Sequence, residues 1–108
     1  MAQNDANYQK LQQEQIEQLI GIMTVNSNEF PEDQKKSIQF IVANAMFKFN
    51  TEKEISQGIK KAMEQQFNGE RYNVIVGRHF GANISTTTDR YAYIQVGTLQ
   101  VLIFRSQN

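Results

Sequence analysis

The chain has 108 residues, of which 40% are hydrophobic and 20% are charged, the composition of one ordinary globular domain rather than of a disordered tail. Its 11 basic side chains balance its 11 acidic ones, so it lacks the positive charge excess with which proteins bind nucleic acids or anionic membranes. Cysteine is absent, which excludes disulfides, thiolate metal sites and cysteine catalysis.

Residues 1–20 are predicted to be an N-terminal extension, partly disordered, of a domain that spans residues 21–108. Residues 1–7 are polar and aperiodic, so we expect them to be frayed, and they lack the features of a secretory signal. From residue 8 to residue 20, apolar side chains cover about half of a helical wheel, which predicts a short amphipathic helix that must lie on another surface. These side chains are Tyr8, Leu11, Ile16, Leu19 and Ile20. Gly21 is expected to end this helix.

A short strand at residues 22–25 and a helix that follows Pro31 are the next predicted elements. Pro31 suits the first helical position, and Glu32 and Asp33 lie at the positive end of the helix dipole. Apolar side chains then recur at steps of three and four until the helix stops near Asn50, which predicts one buried face. That face consists of Ile38, Ile41, Val42, Ala45, Met46 and Phe49.

A second core helix is predicted to begin at Thr51. The Thr51 hydroxyl and the Glu54 carboxylate are spaced to bind backbone N–H groups at the helix start, which is the capping-box pattern. Asn68-Gly69 is expected to end this helix. Its predicted buried face consists of Ile55, Ile59, Ala62, Met63 and Phe67.

Four short strands are predicted in the last third of the chain, at residues 72–76, 80–86, Tyr91–Val96 and Leu99–Arg105. Gly97-Thr98 suits a two-residue hairpin between the last two strands. Helices followed by strands indicate an α+β fold in which two helices pack on an antiparallel sheet. The strand at 80–86 follows a sharp glycine turn and has no evident local partner, so it is a candidate for pairing with another polypeptide.

The sequence contains no evident catalytic or metal-binding constellation. His79 is the one histidine and lies in a predicted turn, with no cysteine or second histidine to join it at a metal. Gly77 and Gly81 do not form a phosphate-binding loop, because no helix follows and the Gly-Lys-Ser/Thr ending is missing. No apolar run approaches the roughly 20 residues of a membrane span. We therefore expect a soluble, cytoplasmic, non-enzymatic protein without cofactor or metal.

Two phenylalanines of the first core helix lie outside its predicted buried face. Phe40 and Phe47 are seven residues apart and therefore share one side of that helix. Stray exposure is the simpler interpretation, because single apolar side chains are common on protein surfaces. We favour cover of this pair, either by the N-terminal segment folding back or by another subunit.

An ordered set of residues runs from the second core helix to the last strand. It comprises Glu52-Lys53, Ile59-Lys60-Lys61, Phe67-Asn68, Ile75-Val76-Gly77-Arg78, Phe80-Gly81, Tyr91, Tyr93, Gly97 and Leu102-Ile103-Phe104-Arg105-Ser106. In this set the chain resembles the eight-kilodalton dynein light chain family. Residues 22–50 align with that family without gaps but with weaker identity, and residues 1–20 have no counterpart in its short members.

The resemblance implies a strand-exchanged dimer with two grooves at the dimer boundary, each of which accepts an extended peptide as a further strand. The implied groove consists of Glu52, Lys53, Arg78, Phe80, Gly81, Ala82, Asn83, Ile84, Ser85, Thr86, Tyr91, Tyr93 and Leu102, with Glu52 and Lys53 capping a target glutamine. The implied dimer interface consists of Asn73, Ile75, Val76, Gly77 and Ile84, and Phe40 and Phe47 are candidates for a further subunit contact. From the residues alone, the first-turn charges would serve only the helix and the tyrosines would belong to the sheet core, so these alternatives stay open.

The chain departs from the family pattern at several implied groove positions. Ala82, Asn83 and Thr86 stand where the family often has serine, tyrosine and histidine, and Gln95 replaces an aromatic residue. Main-chain pairing tolerates such changes, so we expect strand capture with an altered target preference. Asn73 stands where the family commonly has a histidine, and asparagine does not titrate. The implied dimer is therefore expected not to dissociate between pH 7 and pH 5 through this position.

The resemblance implies a non-catalytic light chain that binds segments of dynein intermediate or heavy chains, as a homodimer or as a heterodimer with a related light chain. We expect it in the cytoplasm and cytoskeleton, with an axonemal dynein arm in the cilium as the favoured location. One alternative is a general hub that dimerises unrelated disordered proteins. Another is a small enzyme or enzyme inhibitor on the same scaffold, which the lack of a catalytic constellation disfavours.

Overall fold

A computed structural model of the chain describes residues 2–78 and 90–105. The elements are α1 (Ala2–Ile22), β1 (Met23–Asn28), α2 (Glu32–Lys48), α3 (Glu52–Gln66), β2 (Tyr72–Gly77), β3 (Tyr91–Val96) and β4 (Leu99–Arg105). The strands form an antiparallel sheet in the order β1-β3-β4-β2. The predicted α+β fold is therefore confirmed. No helix within the described residues is long and apolar enough to cross a membrane.

The hydrophobic core lies between one face of the sheet and the helices α2 and α3. Alternation in β3 shows how the strand sequence selects this face, because Ala92, Ile94 and Val96 are buried while the residues between them are half-buried on the other side. The largest fully buried side chains are Tyr72, Ile38, Ile59, Met63, Ile94, Ile103, Val42 and Val101. This core fixes α3 against β2, the region in which the candidate site lies.

Local signals set the ends of several elements as predicted. The Glu54 N–H donates to Thr51 Oγ1 at 3.1 Å, which caps α3. The Glu54 carboxylate differs from the predicted capping box, because Oε1 accepts from the Thr51 hydroxyl at 3.0 Å and not from a backbone N–H. Gly69 after α3 and Gly97 in the β3–β4 hairpin have φ of +87° and +60°, a conformation that favours glycine. Pro31 occupies the N-cap position of α2 and not the first helical position that the sequence predicted.

The N-terminal helix is longer than predicted at both ends. It begins at Ala2 and ends at Ile22, so the prediction that Gly21 ends it is wrong, and β1 follows directly at Met23. The physical reason is packing along the helix. The Tyr8 and Phe47 ring centroids are 6.2 Å apart and Gln12 Nε2 donates to Asn44 Oδ1 at 3.3 Å, while nearer to Gly21, Ile16 is buried and Leu19 packs against the core. Such packing outweighs the roughly 1 kcal/mol by which glycine disfavours a helix. The division of the chain at residue 20 stays a prediction.

The predicted strand at 80–86, His79 and Gly81 lie outside the described residues. The described chain leaves the sheet at the end of β2 and re-enters it at the start of β3. These two strands run parallel to each other, since each is antiparallel to β4, which lies between them. The exit and re-entry points are therefore at opposite ends of the sheet.

Candidate binding edge of the sheet

The face of the sheet opposite the helices carries most of the candidate residues that the structure describes. Strand pairing places Ile75, Leu102 and Tyr93 in one row across β2, β4 and β3. Leu102 in the middle of this row is 2% exposed, whereas Ile75 at the edge of the sheet is 46% exposed. The two flanking rows are Asn73, Phe104 and Tyr91 on one side and Gly77, Gln100 and Gln95 on the other. This outer face therefore ends at β2 in an exposed isoleucine.

Val76 lies in β2 but does not share the outer face. Side chains alternate along a strand, and Val76 packs half-buried against the hydrophobic core with Val74. Only its backbone lies at the edge of the sheet. The structure thus places Asn73, Ile75 and Gly77 together on the outer face and turns the fourth described residue of the implied dimer interface towards the helices.

The backbone groups of β2 alternate between β4 and the open side of the sheet. Tyr72 pairs with Arg105, whose N–H donates at 3.0 Å to the Arg90 C=O, on the β3 side of β4. Tyr72 and Arg105 are therefore a non-hydrogen-bonded pair, and the N–H and C=O of Tyr72 point away from β4. By the same alternation, the backbone groups of Val74 and Val76 also point outward. Within the described chain, β2 has no strand neighbour on this side.

The outward groups of Tyr72 are bound by two charged side chains of α3. The Tyr72 N–H donates to Glu64 Oε2 at 3.3 Å, and the Tyr72 C=O accepts from Lys60 Nζ at 3.0 Å. Lys60 Nζ and Glu64 Oε2 are themselves 2.8 Å apart, one helical turn from each other. The Lys60 hydrogen bond, aided by the Tyr72 N–H, holds the pKa of the Glu64 carboxyl below its ordinary value. The Glu64 side chain is therefore a carboxylate at neutral pH.

The start of α3 lies beside the end of β2, as the candidate groove requires. Arg78 Nε lies 3.9 Å from Glu52 Oε1, with side-chain exposures of 64% and 49%. An ion pair this long and this exposed contributes little to stability. Because both side chains are exposed, both are accessible to a ligand. Lys53 is exposed on the same helical turn, where its C=O accepts from Ser56 Oγ at 2.8 Å. The candidate groove residues Phe80, Gly81, Ala82, Asn83, Ile84, Ser85 and Thr86 lie outside the described residues.

A charged cluster that the sequence did not reveal holds the start of β3. Glu70 Oε1 accepts from Arg90 Nη1 at 3.0 Å, and Glu70 Oε2 lies 3.6 Å from Arg105 Nη1. All three side chains are about 30% exposed or less. The nearby Tyr72 ring is fully buried, and this burial raises the pKa of its hydroxyl. The three charged residues lie 15 or more positions apart in the sequence, so no local spacing could have paired them.

Phe40 and Phe47 differ in their surroundings. The Phe47 ring is half-buried beside Tyr8 of α1, whereas Phe40 is 50% exposed. Ala43, which lies between them on the helix, is fully buried.

An open groove of about 650 Å³ between α1 and α2 is lined by apolar and glutamine side chains: Gln15, Gln18, Leu19, Ile22, Met46 and Phe47.

The outer face presents groups that are suited to binding. Among the side chains that the structure describes, no three His, Cys, Asp or Glu groups converge as they would around a metal ion. What the face does present is an edge strand with outward backbone groups, an exposed isoleucine and flanking charges. Such an arrangement suits the addition of an extended polypeptide.

Comparison with known proteins finds similarity to dynein light chains. A model of the dynein light chain type 1 family matches residues 22–106. The chain is 30% identical over 82 residues to cytoplasmic dynein light chain 1 of Candida glabrata, covering 76% of this chain and 94% of that one. It is 29% identical over 83 residues to the cytoplasmic dynein light chain of Emericella nidulans, covering 77% and 87%.

Solved structures show the same fold at lower identity. The dynein light chain-like domain of a calcium-binding protein from Fasciola hepatica superposes with a TM-score of 0.64 at 12% identity, covering 81% of this chain and 94% of that one. The DLC-like domain of CsTAL3 superposes with a TM-score of 0.65 at 14% identity, covering 78% and 92%.

Proposed function

This chain belongs to the dynein light chain type 1 family, and from that membership we propose that it is a non-catalytic light chain of a dynein motor complex. It dimerises and binds extended segments of dynein intermediate or heavy chains by strand addition, and so supports assembly of the motor on microtubules. The observation that carries this proposal is the edge of β2, where the backbone groups of Val74 and Val76 point outward and have no strand neighbour within the described chain. An edge of this kind is a template for a further strand.

The dimer uses the β2 edge together with the outer face. The four outward backbone groups of Val74 and Val76 contribute about 0.5–1.5 kcal/mol for each hydrogen bond, which is a modest total for joining two chains. Burial of Ile75, now 46% exposed, adds the apolar contribution that a stable interface needs. Asn73 and Gly77 flank Ile75 on the same face. Two grooves in one dimer then hold two target segments side by side, so that effective concentration strengthens the assembly.

The groove engages its target through α3 as well as through the sheet. Glu52 and Lys53 lie in the first turn of α3, and Arg78 is beside Glu52. These charges are placed to bind polar side chains of an extended segment that lies along the outer face, with Tyr91, Tyr93 and Leu102 beneath it. The altered residues Ala82, Asn83 and Thr86 give this chain its own target preference.

The N-terminal helix and the Phe40–Phe47 side of α2 provide a further subunit contact. Phe40 stays 50% exposed although α1 packs on the same helix, which leaves an apolar side chain for another chain to cover. Substitution of Phe40 by aspartate is expected to disturb assembly without unfolding the chain. Unchanged assembly in this variant would show that Phe40 is stray exposure.

The names of the relatives support a cellular location for this chain. Those from Candida glabrata and Emericella nidulans are named cytoplasmic dynein light chains, which supports the cytoplasm and cytoskeleton for this chain. The extension before residue 22, which the family model does not match, and the altered groove favour a specialised member, for which we propose an axonemal dynein arm of the cilium. It acts there as a homodimer or with a related light chain.

Native complexes captured through this chain test the proposal. Mass spectrometry is expected to identify dynein intermediate or heavy chains, and these are expected to be lost with Ile75→Lys, which places a charge on the exposed edge. Thr24→Lys is the matched control, because it places the same charge on the outer face of β1, at the opposite edge of the sheet. Recovery of many unrelated disordered proteins without dynein chains would identify a general hub and contradict the proposal.

A further inference from the structure

One end of the β2 edge is already occupied within a single chain. Both outward backbone groups of Tyr72 are hydrogen-bonded, its N–H to Glu64 Oε2 at 3.3 Å and its C=O to Lys60 Nζ at 3.0 Å. The two side chains also bind each other at 2.8 Å. They therefore stand where the backbone of an added strand would have to lie if that strand reached Tyr72.

The remaining outward groups of β2 are open to pairing. Val74 and Val76 have no hydrogen-bond partner on this side among the described residues. A strand that adds here gains hydrogen bonds at both residues. To extend to Tyr72, it must displace an ammonium and a carboxylate, and hydrogen bonds that involve charged groups are stronger than the neutral ones that would replace them.

We propose that the Lys60–Glu64 pair determines where the added strand ends on β2, and so fixes its register. The inference rests on the proposed function, in which a second copy of the chain supplies that strand. Lys60 and Glu64 are then positioning residues, because they act by blocking one pairing position. Without the pair, the added strand could slip by two residues along β2. Such a slip would shift each of its side chains along the sheet but leave each one on the same face.

Hydrogen exchange of single amides, followed by NMR over a range of protein concentrations, tests this inference. When the dimer dissociates on dilution, the Val74 and Val76 amides are expected to lose protection together. The Tyr72 amide is expected to stay protected at every concentration, since Glu64 binds it within one chain. Its exchange in the dissociated chain should be roughly tenfold to a hundredfold slower than that of Val74.

Glu64→Ala removes the acceptor, and Glu32→Ala is the matched control. Glu32 also pairs with a lysine at 3.0 Å, but on α2 and with a 90% exposed side chain. In Glu64→Ala, the Tyr72 amide is expected to become unprotected in the dissociated chain and protected in the dimer, because the added strand now extends to it. Glu32→Ala is expected to behave like the unaltered chain.

The possible outcomes distinguish failure of the register inference from failure of the proposed function. Tyr72 protection that falls on dilution of the unaltered chain, or a Tyr72 amide that stays unprotected in the Glu64→Ala dimer, would overturn the inference and leave the proposed function standing. A chain that light scattering shows to be monomeric at all concentrations, with Val74 and Val76 never protected, would overturn the proposed function itself.

Discussion

Replacement of Gly58 by alanine should reveal how α3, which carries Glu52, Lys60 and Glu64, is held against α2. Gly58 lies in the middle of α3, where alanine would ordinarily stabilise a helix by about 1 kcal/mol. A Cβ atom at this position, however, would lie 2.5 Å from Cε2 and 3.0 Å from Cδ2 of the Phe49 ring. Phe49 is packed against the hydrophobic core, so the ring has to shift to make room.

The expected magnitude follows from these two opposing effects. Overpacking of this kind costs about 1–3 kcal/mol, so Gly58→Ala should lower the free energy of unfolding by up to about 2 kcal/mol in spite of its helix propensity. In a Phe49→Leu background the ring is gone, and the same substitution should raise the free energy of unfolding by up to about 1 kcal/mol. The sign of the effect therefore reverses between the two backgrounds.

Urea unfolding followed by far-ultraviolet circular dichroism measures both values. Protein concentration is kept equal across the four chains of the cycle, because the proposed dimerisation would make apparent stability depend on concentration. If Gly58→Ala stabilises both backgrounds by the same amount, the Phe49 ring does not restrict α3 and the packing argument is refuted.

Four further predictions concern side chains around the site. Thr51→Ala removes the cap of α3 and should cost about 1 kcal/mol in urea unfolding, while Thr51→Ser should cost little. Because the pKa of Glu64 is lowered on folding, its contribution to stability is complete above the ordinary carboxyl value of 4.5 and is lost as the pH falls through the lowered pKa. Since Asn73 does not titrate, sedimentation should show one unchanged mass from pH 7 to pH 5, and a transition to monomer near pH 6 would contradict this. Glu70→Ala removes the carboxylate that binds both Arg90 and Arg105, so the free energy of unfolding should fall by about 1–3 kcal/mol. A thermal melt identical to that of the unaltered chain would contradict a stabilising role for this charged cluster.

Features that depend on neighbouring residues were predictable from the sequence. The Thr51 cap and the Gly97 hairpin follow from local hydrogen bonding and from the φ that glycine permits. The alternation of β3 follows from the two-residue period of a strand, and it was enough to place Tyr91 and Tyr93 on one face. Each of these signals is complete within a few residues of the chain.

Features that depend on distant contacts were not predictable in the same way. Propensity alone predicts that Gly21 ends the helix, but α1 continues through Gly21 to Ile22, with Leu19 packed against the core. The i,i+4 spacing of Lys60 and Glu64 is visible in the sequence, yet their hydrogen bonds to Tyr72 require the fold. Val76 entered the candidate interface by resemblance, and only the pairing of β2 with β4 shows that its side chain faces the core.

The mass of the chain in solution tests the central claim, that the β2 edge joins two copies of this light chain, most directly. Light scattering at micromolar concentration is predicted to give twice the 12.5 kDa of one chain for the unaltered protein and for Thr24→Lys, and 12.5 kDa for Ile75→Lys. A single-chain mass for the unaltered protein, or an undisturbed dimer in Ile75→Lys, would contradict the claim.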